Sequence, residues 1–373
     1  MTPRYEYSRS AIQERIDELT GLQAPFGLTV RYAMKANPHS AIIAMMHEGG
    51  VHFDASSSYE ASELLAAGIP GAHISLSSQQ SPHIFPELLS KGVQFVATSL
   101  HQLDQFLQEK YRPSEVALRI NPDMGQGQIK RLSTGGRSAS FGIWHEYIPE
   151  CLKRCSDAGV RVTRLHIHVG SGADPSIWGE VMDRALSVVR LLPDVTTLDI
   201  GGGYKVARVE GEREADMPAI MAAFFEKLTA FASETGRELH LEIEPGTYFI
   251  AHAGTLVAEV DDVVDTGAEG YTFLRLNTGM NDFLRSTLYG ARHRIEVIND
   301  ATAYAEYVVV GHNCESGDIF TPTPGNPEEI ATVTLRRAEI GDEVRIYDTG
   351  AYCAAMRARG YNSFPDAEEV MVE

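Results

Sequence analysis

Lysine is scarce in this 373-residue chain: seven residues (Lys35, Lys91, Lys110, Lys130, Lys153, Lys205, Lys227) against 25 arginines. Chemistry that needs an amine therefore has few places to come from. Basic charge as a whole is short. There are 32 basic against 51 acidic residues, a net charge of -19 and a pI near 5.1. Nucleic-acid binding needs clustered Lys and Arg, so this balance argues against a nucleic-acid partner, and the acidic excess reads as solubility. No apolar run reaches the ~18–20 residues of a membrane span, and the opening MTPRYEYSRS has no apolar stretch of a secretion signal. The expectation is a soluble, cytoplasmic protein with no membrane partner. The four cysteines (Cys151, Cys155, Cys314, Cys353) form no CxxC pair and no zinc spacing, so neither a metal nor a disulfide framework is expected. Cys151 and Cys155, four apart on a predicted helix, read as packing. With 43% hydrophobic and 22% charged residues, disorder is excluded.

What is present is a rhythm. Runs rich in β-branched residues and bounded by Gly, Pro, Ser or Asn predict strands at 28–34, 51–54, 73–76, 94–97, 115–120, 163–168, 196–200 and 240–244. Apolar residues at helical spacing predict helices at 9–20, 39–49, 59–67, 101–110, 145–157, 176–191 and 216–235. Eight strands alternating with helices point to an α/β fold, a parallel (β/α)8 TIM-type barrel, with a doubly wound open sheet as the rival. Beyond residue 248 the helices thin out, and runs at 255–260, 271–276, 304–310 and 343–347 predict a β-rich C-terminal domain. The division expected is a barrel over 9–248 and a β-rich domain over 249–373 that also takes in residues 1–8. The loop 121–142 is longer than a simple connector.

Active sites of such barrels lie at the C-terminal ends of the strands. Here those ends carry Lys35, Asp54, Arg119 with Asn121, His168, Gly201-Gly202-Gly203 and Glu244-Pro245-Gly246. Lys35 is either a snorkelling lysine or a buried amine of depressed pKa, able to form a Schiff base with an aldehyde. The glycine runs 201–203 and 170–172 are tight turns or a backbone cradle for a phosphate. His168 shares a strand face with His166. It reads as a packed core histidine or as an imidazole stacked on a flat ring, and no third ligand stands at a spacing that suggests a metal. Glu244 closes an otherwise apolar strand and needs a partner, which a protonated pyridine nitrogen would supply. An amine for an aldehyde, glycines for a phosphate, a ring stacker and a buried carboxylate together specify pyridoxal 5'-phosphate.

Ten stretches carry a family resemblance: YAMKANP (32–38), RINP (119–122), TGGRSASFGI (134–143), HIHVGSG (166–172), DIGGGY (199–204), EPG (244–246), LRSTLYG (284–290), CESGD (314–318), TGAY (349–352) and YNSFP (361–365). The chain resembles the alanine-racemase-type (fold type III) pyridoxal-phosphate enzymes, specifically the diaminopimelate decarboxylases, over nearly its whole length. The resemblance implies that Lys35 holds the cofactor covalently, His168 stacks on its ring, Glu244 pairs with the ring nitrogen and Arg119 lies near the ring hydroxyl. It implies that Ser171, Gly202, Gly203, Gly246 and Tyr352 surround the phosphate, and that Arg285 and Tyr289 hold the distal end of an amino-acid substrate. It further implies a homodimer with shared active sites, in which Cys314 and Glu315 enter from the partner subunit and Cys314 reprotonates the substrate carbon after CO2 leaves. The expected reaction is decarboxylation of meso-2,6-diaminopimelate to L-lysine. One position departs: such enzymes commonly carry arginine after Glu-Pro-Gly, where this chain has Thr247. Distal recognition would then rest on Arg285 and Tyr289, aided by Arg292 or Arg294. Decarboxylation of another diamino acid (ornithine, lysine or arginine) is the alternative. A racemase, or a carrier of the cofactor, fits the CESGD segment and the second domain less well. Relatives of this kind are commonly longer at both ends, which implies a trimmed second domain.

Overall fold

The computed structural model describes residues 3–124 and 135–373. Eight parallel strands close into a barrel. In chain order they are Leu28–Ala33, His52–Ala55, Ile74–Leu76, Gln94–Ala97, Glu115–Asn121, Arg161–His166, Thr197–Asp199 and His240–Ile243. Each pairs with the next, the eighth returns to the first through Leu241 opposite Leu28, and the fourth meets the fifth through Val96 opposite Ala117. All eight lie where the β-branched runs predict them, although the sixth stops at His166, two residues earlier than expected. A two-residue strand, Ile143–Trp144, adds to the fifth.

The helices between strands start where a side chain can receive their free N–H groups. Ser57, Ser99 and Asp216 accept from the backbone N–H three residues on, at 3.1, 3.1 and 3.0 Å, and Asp174 accepts from Ser176 at 2.9 Å. Each such cap contributes roughly 1 kcal/mol. Helix Ile148–Asp157 buries Cys151 and Cys155 on its inner side, where burial pushes their thiols up to about 12 and about 11. These are packing residues, as their spacing suggests. Helix Phe85–Ser90 escapes prediction because Pro86 and its six residues leave too short a pattern to read.

The barrel's interior is not apolar. In the strands at 28–33, 161–166 and 240–243 the apolar residues face the helices, and the alternate positions carry Arg31, Arg164, His166, His240 and Glu242 into the lumen. Arg31 is 1% exposed. It donates through Nη2 to Glu242 at 2.8 Å and to Gln94 at 2.8 Å, and through Nε to Glu242 at 3.1 Å. Arg164 reaches Ser75 at 2.8 Å and Asp199 at 2.5 Å, and also pairs with Glu242. The floor of the barrel is thus an internally neutralised ion network.

The second domain is a β-sheet in which Ile295–Ile298, Glu343–Tyr347, Gly254–Asp265, Thr272–Leu276, Tyr304–Val310 and Val333–Arg336 lie side by side in that order. The N-terminal strand Arg4–Ser8 joins it, between Gly254–Asp265 and the last strand Glu368–Val372. Four of these strands answer predicted runs. Ile295–Ile298, Val333–Arg336 and Glu368–Val372 are too short to stand out as runs. A charged latch ties the domains. Arg15 holds Glu214 at 2.6 Å, and His252 bridges Glu214 at 2.9 Å and Asp348 at 2.6 Å.

Candidate active site

The mouth of the barrel is built by turns that leave no room for side chains. At Gly203, where φ is +107, an added Cβ would stand 1.8 Å from the Gly170 carbonyl oxygen, and at Gly202 one would stand 2.1 Å from that of Glu244. At Gly246 it would meet Ala36 at 3.0 Å and the Tyr352 hydroxyl at 3.3 Å. The loop that holds Ser171 is laced to the loop after the seventh strand by Gly172 N–H donating to Gly203 (3.0 Å) and Lys205 N–H donating to Gly172 (3.2 Å). Ser171, Gly202, Gly203 and Gly246 therefore stand around one cradle. Tyr352 arrives from the second domain. Its φ is 58, a left-handed conformation that costs about 1 kcal/mol. Its N–H donates to the Ala36 carbonyl at 2.8 Å, and Asn37 Nδ2 donates to Gly350 at 3.1 Å.

Lys35 sits on a single 3-10 turn, Met34–Ala36, just past the first strand. Its amine donates to Asp54 Oδ2 at 2.9 Å and to Ser56 at 3.0 Å, and Ser77 donates to the other Asp54 oxygen at 3.1 Å. The expectation of a buried lysine with a depressed pKa is corrected on both counts. The side chain is 44% exposed in the mouth. Desolvation lowers its pKa, but the charges of Asp54, Tyr352 and Glu244 outweigh it and hold the ammonium above its ordinary range. Asp54, fully buried, is held low by Lys35 against its own desolvation.

Glu244 is the opposite case. It does not close an apolar strand, as the sequence suggests; its lumen-side neighbours are Glu242 and His240. Its Oε2 lies 3.2 Å from His166 Nε2, while Oε1 is buried with no hydrogen-bond partner among the described residues. Burial pushes its carboxyl up to about 7, and Asp54 adds to the shift. Asp199 is raised by burial and by Glu244. Asp199 has Arg164 and the Gly201 N–H (2.9 Å) to hold its charge. His166, Asp199 and Glu244 bring three ligand-type atoms within 4.8 Å of one another. His168, the other histidine of the pair read from the sequence, is not in this group, whose other members, Asp199 and Glu244, come from the seventh strand and the end of the eighth. Asp199 is the acid with a cation partner. Its carboxylate already neutralises Arg164.

His168 accepts the Gly202 N–H at Nδ1, 3.2 Å away. Burial, with Arg119 and Lys35 nearby, holds it well below the usual imidazole range, so its ring is neutral. Arg119 is buried, its guanidinium 5.2 Å from the Phe141 ring centroid. Loop residues 125–134, including the start of TGGRSASFGI, lie outside the described residues.

On the second domain, Arg285 opens the helix Arg285–Tyr289 with its guanidinium 5.9 Å from the Tyr289 ring centroid. Of the two suggested helpers, Arg294 is engaged by Glu296 at 2.6 Å and Arg292 donates to the Pro322 carbonyl at 3.1 Å. Cys314 and Glu315 are not gathered with Lys35. Both are exposed on the second domain, Cys314 N–H donating to Asn362 at 2.7 Å and Glu315 accepting from the Tyr361 hydroxyl at 3.2 Å. Cys314 is thus not a buried core thiol. Sequence reasoning undervalued Asp54 and missed Asp199 and Arg164. Their alternation with apolar neighbours, polar every second residue, was the available signal.

An exposed amine, a glycine cradle, a neutral imidazole and a buried carboxylate with an open oxygen fit a phosphorylated pyridine aldehyde. The family model for the pyridoxal-binding domain of pyridoxal-dependent decarboxylases matches residues 10–251, and that for their C-terminal sheet domain matches 176–350. The chain belongs to the pyridoxal-dependent decarboxylases. Pyridoxal phosphate is its cofactor. It is 33% identical to a diaminopimelate decarboxylase of Streptomyces coelicolor, over all of this chain and 84% of that protein. It is 30% identical to that of Escherichia coli, over all of this chain and 89% of the other. A crystal structure of a diaminopimelate decarboxylase superposes with a TM-score of 0.90 at 30% identity, covering all of this chain and 88% of that one. No helix among the described residues is long and apolar enough to cross a membrane.

Proposed function

We propose that this decarboxylase converts meso-2,6-diaminopimelate to L-lysine and CO2. The observation that carries the reading is the pairing of Lys35 in the grip of Asp54 with the open oxygen of Glu244 at the same barrel mouth, in a chain that matches diaminopimelate decarboxylases from end to end. Pyridoxal phosphate bound there supplies a sink for the electron pair left behind as CO2 departs. Lys35 would hold it covalently, with Asp54 and Ser56 positioning its amine. Glu244 would pair with the ring nitrogen through its open oxygen, and neutral His168 would cover the ring without adding charge. Ser171, Gly202, Gly203, Gly246 and the Tyr352 hydroxyl surround the phosphate, and Arg119 stands beside the ring's hydroxyl edge. Arg285 and Tyr289 orient the substrate's distal carboxylate, so that the carboxylate at the other end is the one lost.

The protein works in this reading as a cytoplasmic homodimer. The partner subunit's Cys314 protonates the substrate carbon and the partner's Glu315 receives the distal ammonium, which agrees with both residues being exposed in the single chain. Mixing Lys35→Ala with Cys314→Ala protein should then restore activity that neither has alone; no restoration would sink the shared site.

Thr247, which brings no charge, favours one second reading: decarboxylation of ornithine, lysine or arginine. Cofactor-loaded protein incubated separately with meso-diaminopimelate and each of these, with products identified by mass, decides between them. Lysine arising only from diaminopimelate is the expected result, and a diamine from any of the others would move the assignment.

A further inference from the structure

Arg208 lies five residues beyond Gly203, on the loop that follows the seventh barrel strand. It is 9% exposed, and its guanidinium is poorly served. Nε is 3.4 Å from the Asp348 carbonyl oxygen, and Nη2 is buried without a hydrogen-bond partner among the described residues. Arg285 Nε, across the mouth on the second domain, is buried and unpartnered in the same sense. The acids nearby are occupied. Glu212 accepts the Arg208 backbone N–H at 2.8 Å and pairs with Lys205 at 3.2 Å, and Asp348 gives its carboxylate to His252. Among the described residues neither arginine has a carboxylate in ion-pair contact.

A buried guanidinium without a counter-charge is costly, and the charge of the half-buried Arg285 adds to that cost. Burial and the charge of Arg285 push Arg208 down to about 9. The chain nonetheless places both around one segment, Tyr347–Tyr352. Arg208 meets its Asp348 carbonyl, and His293, whose pKa both arginines lower, reaches its Tyr347 carbonyl at 2.8 Å. The same segment ends in Tyr352 at the cradle. What is missing is an anion.

We propose that Arg208 and Arg285 form a two-guanidinium clamp for one small oxyanion, with Arg208 supplying from the seventh-strand loop the charge that Thr247 does not. The inference deepens the reading of the reaction and rests on it for the oxyanion expected, the distal carboxylate of diaminopimelate. Forked guanidinium groups recognise a carboxylate and a phosphate by the same paired donors, so the cofactor's phosphate is the other source.

The test compares wild type with Arg208→Gln in three measurements: stabilisation of cofactor-free protein by sulfate, the dissociation constant of pyridoxal phosphate by absorbance, and KM against kcat for meso-diaminopimelate. Loss of charge-assisted bonds of this kind predicts a KM raised roughly 10–100-fold with kcat changed less, unchanged cofactor affinity, and loss of the sulfate effect. A weakened cofactor with unchanged KM keeps the clamp and assigns it to the phosphate. Unchanged KM, cofactor affinity and sulfate response in a folded variant overturn it. If Arg208→Gln does not fold, Arg208→Lys, which keeps the charge but not the fork, is measured instead; a KM and a cofactor affinity both equal to wild type would overturn the clamp. A wild type that leaves diaminopimelate untouched refutes the reaction, while the sulfate and cofactor measurements still judge the clamp.

Discussion

The floor and the mouth of the barrel are built from the same residue types and differ in how completely those residues are paired. On the floor, Arg31, Arg164 and Glu242 neutralise one another across the lumen, with Gln94 and Ser75 taking further donors, although Arg164 Nε is left without a partner among the described residues. At the mouth, Glu244 keeps an open oxygen, Arg208 and Arg285 keep open donors, and Lys35 stands partly in solvent. Buried polar groups in folded proteins are nearly always satisfied. The open carboxylate oxygen and guanidinium donors at the mouth can therefore meet polar groups of a ligand, whereas the charges on the floor are spent on one another. Charge by itself does not separate the two regions.

Mutations can break this contrast. The largest effect belongs to the mouth: Lys35→Ala should lower CO2 release by several orders of magnitude, because among the described residues no other amine stands at the cradle. Steady turnover by that variant would dismiss the site. Next comes the floor. Arg164→Met strips Asp199 of its cation and should cost about 3–5 kcal/mol in urea unfolding, since a buried charge is left behind. A loss of activity without a loss of stability there would erase the distinction.

Glu244→Gln sharpens the contrast, because activity and stability should move in opposite directions. Glu244 is raised in the folded protein to about 7, so the native state binds its proton more tightly than the unfolded chain. Stability is then lost as pH rises from about 4.5 to about 7. Without cofactor, Glu244→Gln should exceed wild type by about 2 kcal/mol at pH 8 and match it near pH 4, while decarboxylation falls. Thermal unfolding at the two pH values measures it.

The smallest effect concerns the latch between domains. Asp348 and Glu214 raise His252 to about 9. Its contribution is fully present below about pH 6.5 and lost as pH rises through about 9. His252→Gln should cost about 1 kcal/mol at pH 6 and nothing above pH 10, the sum kept small by partial exposure.

The barrel was legible because each of its eight strands is a short β-branched run closed by a turn residue, and because Lys35, His168, Glu244 and the glycines at 201–203 fall at strand ends. The pairing within the lumen was not. Arg164 and Ser75 lie far apart in the chain, and no local pattern announces that strands six and three face each other across a closed sheet. The same limit hid Asp199 beside Glu244 and Arg208 near Arg285. It also reversed the reading of Lys35, whose pKa depends on Asp54, a neighbour supplied by the next strand. The missed strands of the second domain have a different cause: they are short and half-exposed, and their partners are remote.

The strand Arg4–Ser8 has a consequence for how the molecule is made. It leaves the ribosome long before one of its two partners, Glu368–Val372. At about 5–20 residues per second the wait is roughly 20–70 s. The barrel can close while the first strand still lacks this partner, so the second sheet, and with it the setting of Tyr352 at the cradle, is completed only once Glu368–Val372 has emerged. A nascent chain stalled before residue 368 should hold a formed barrel and an unfinished active site.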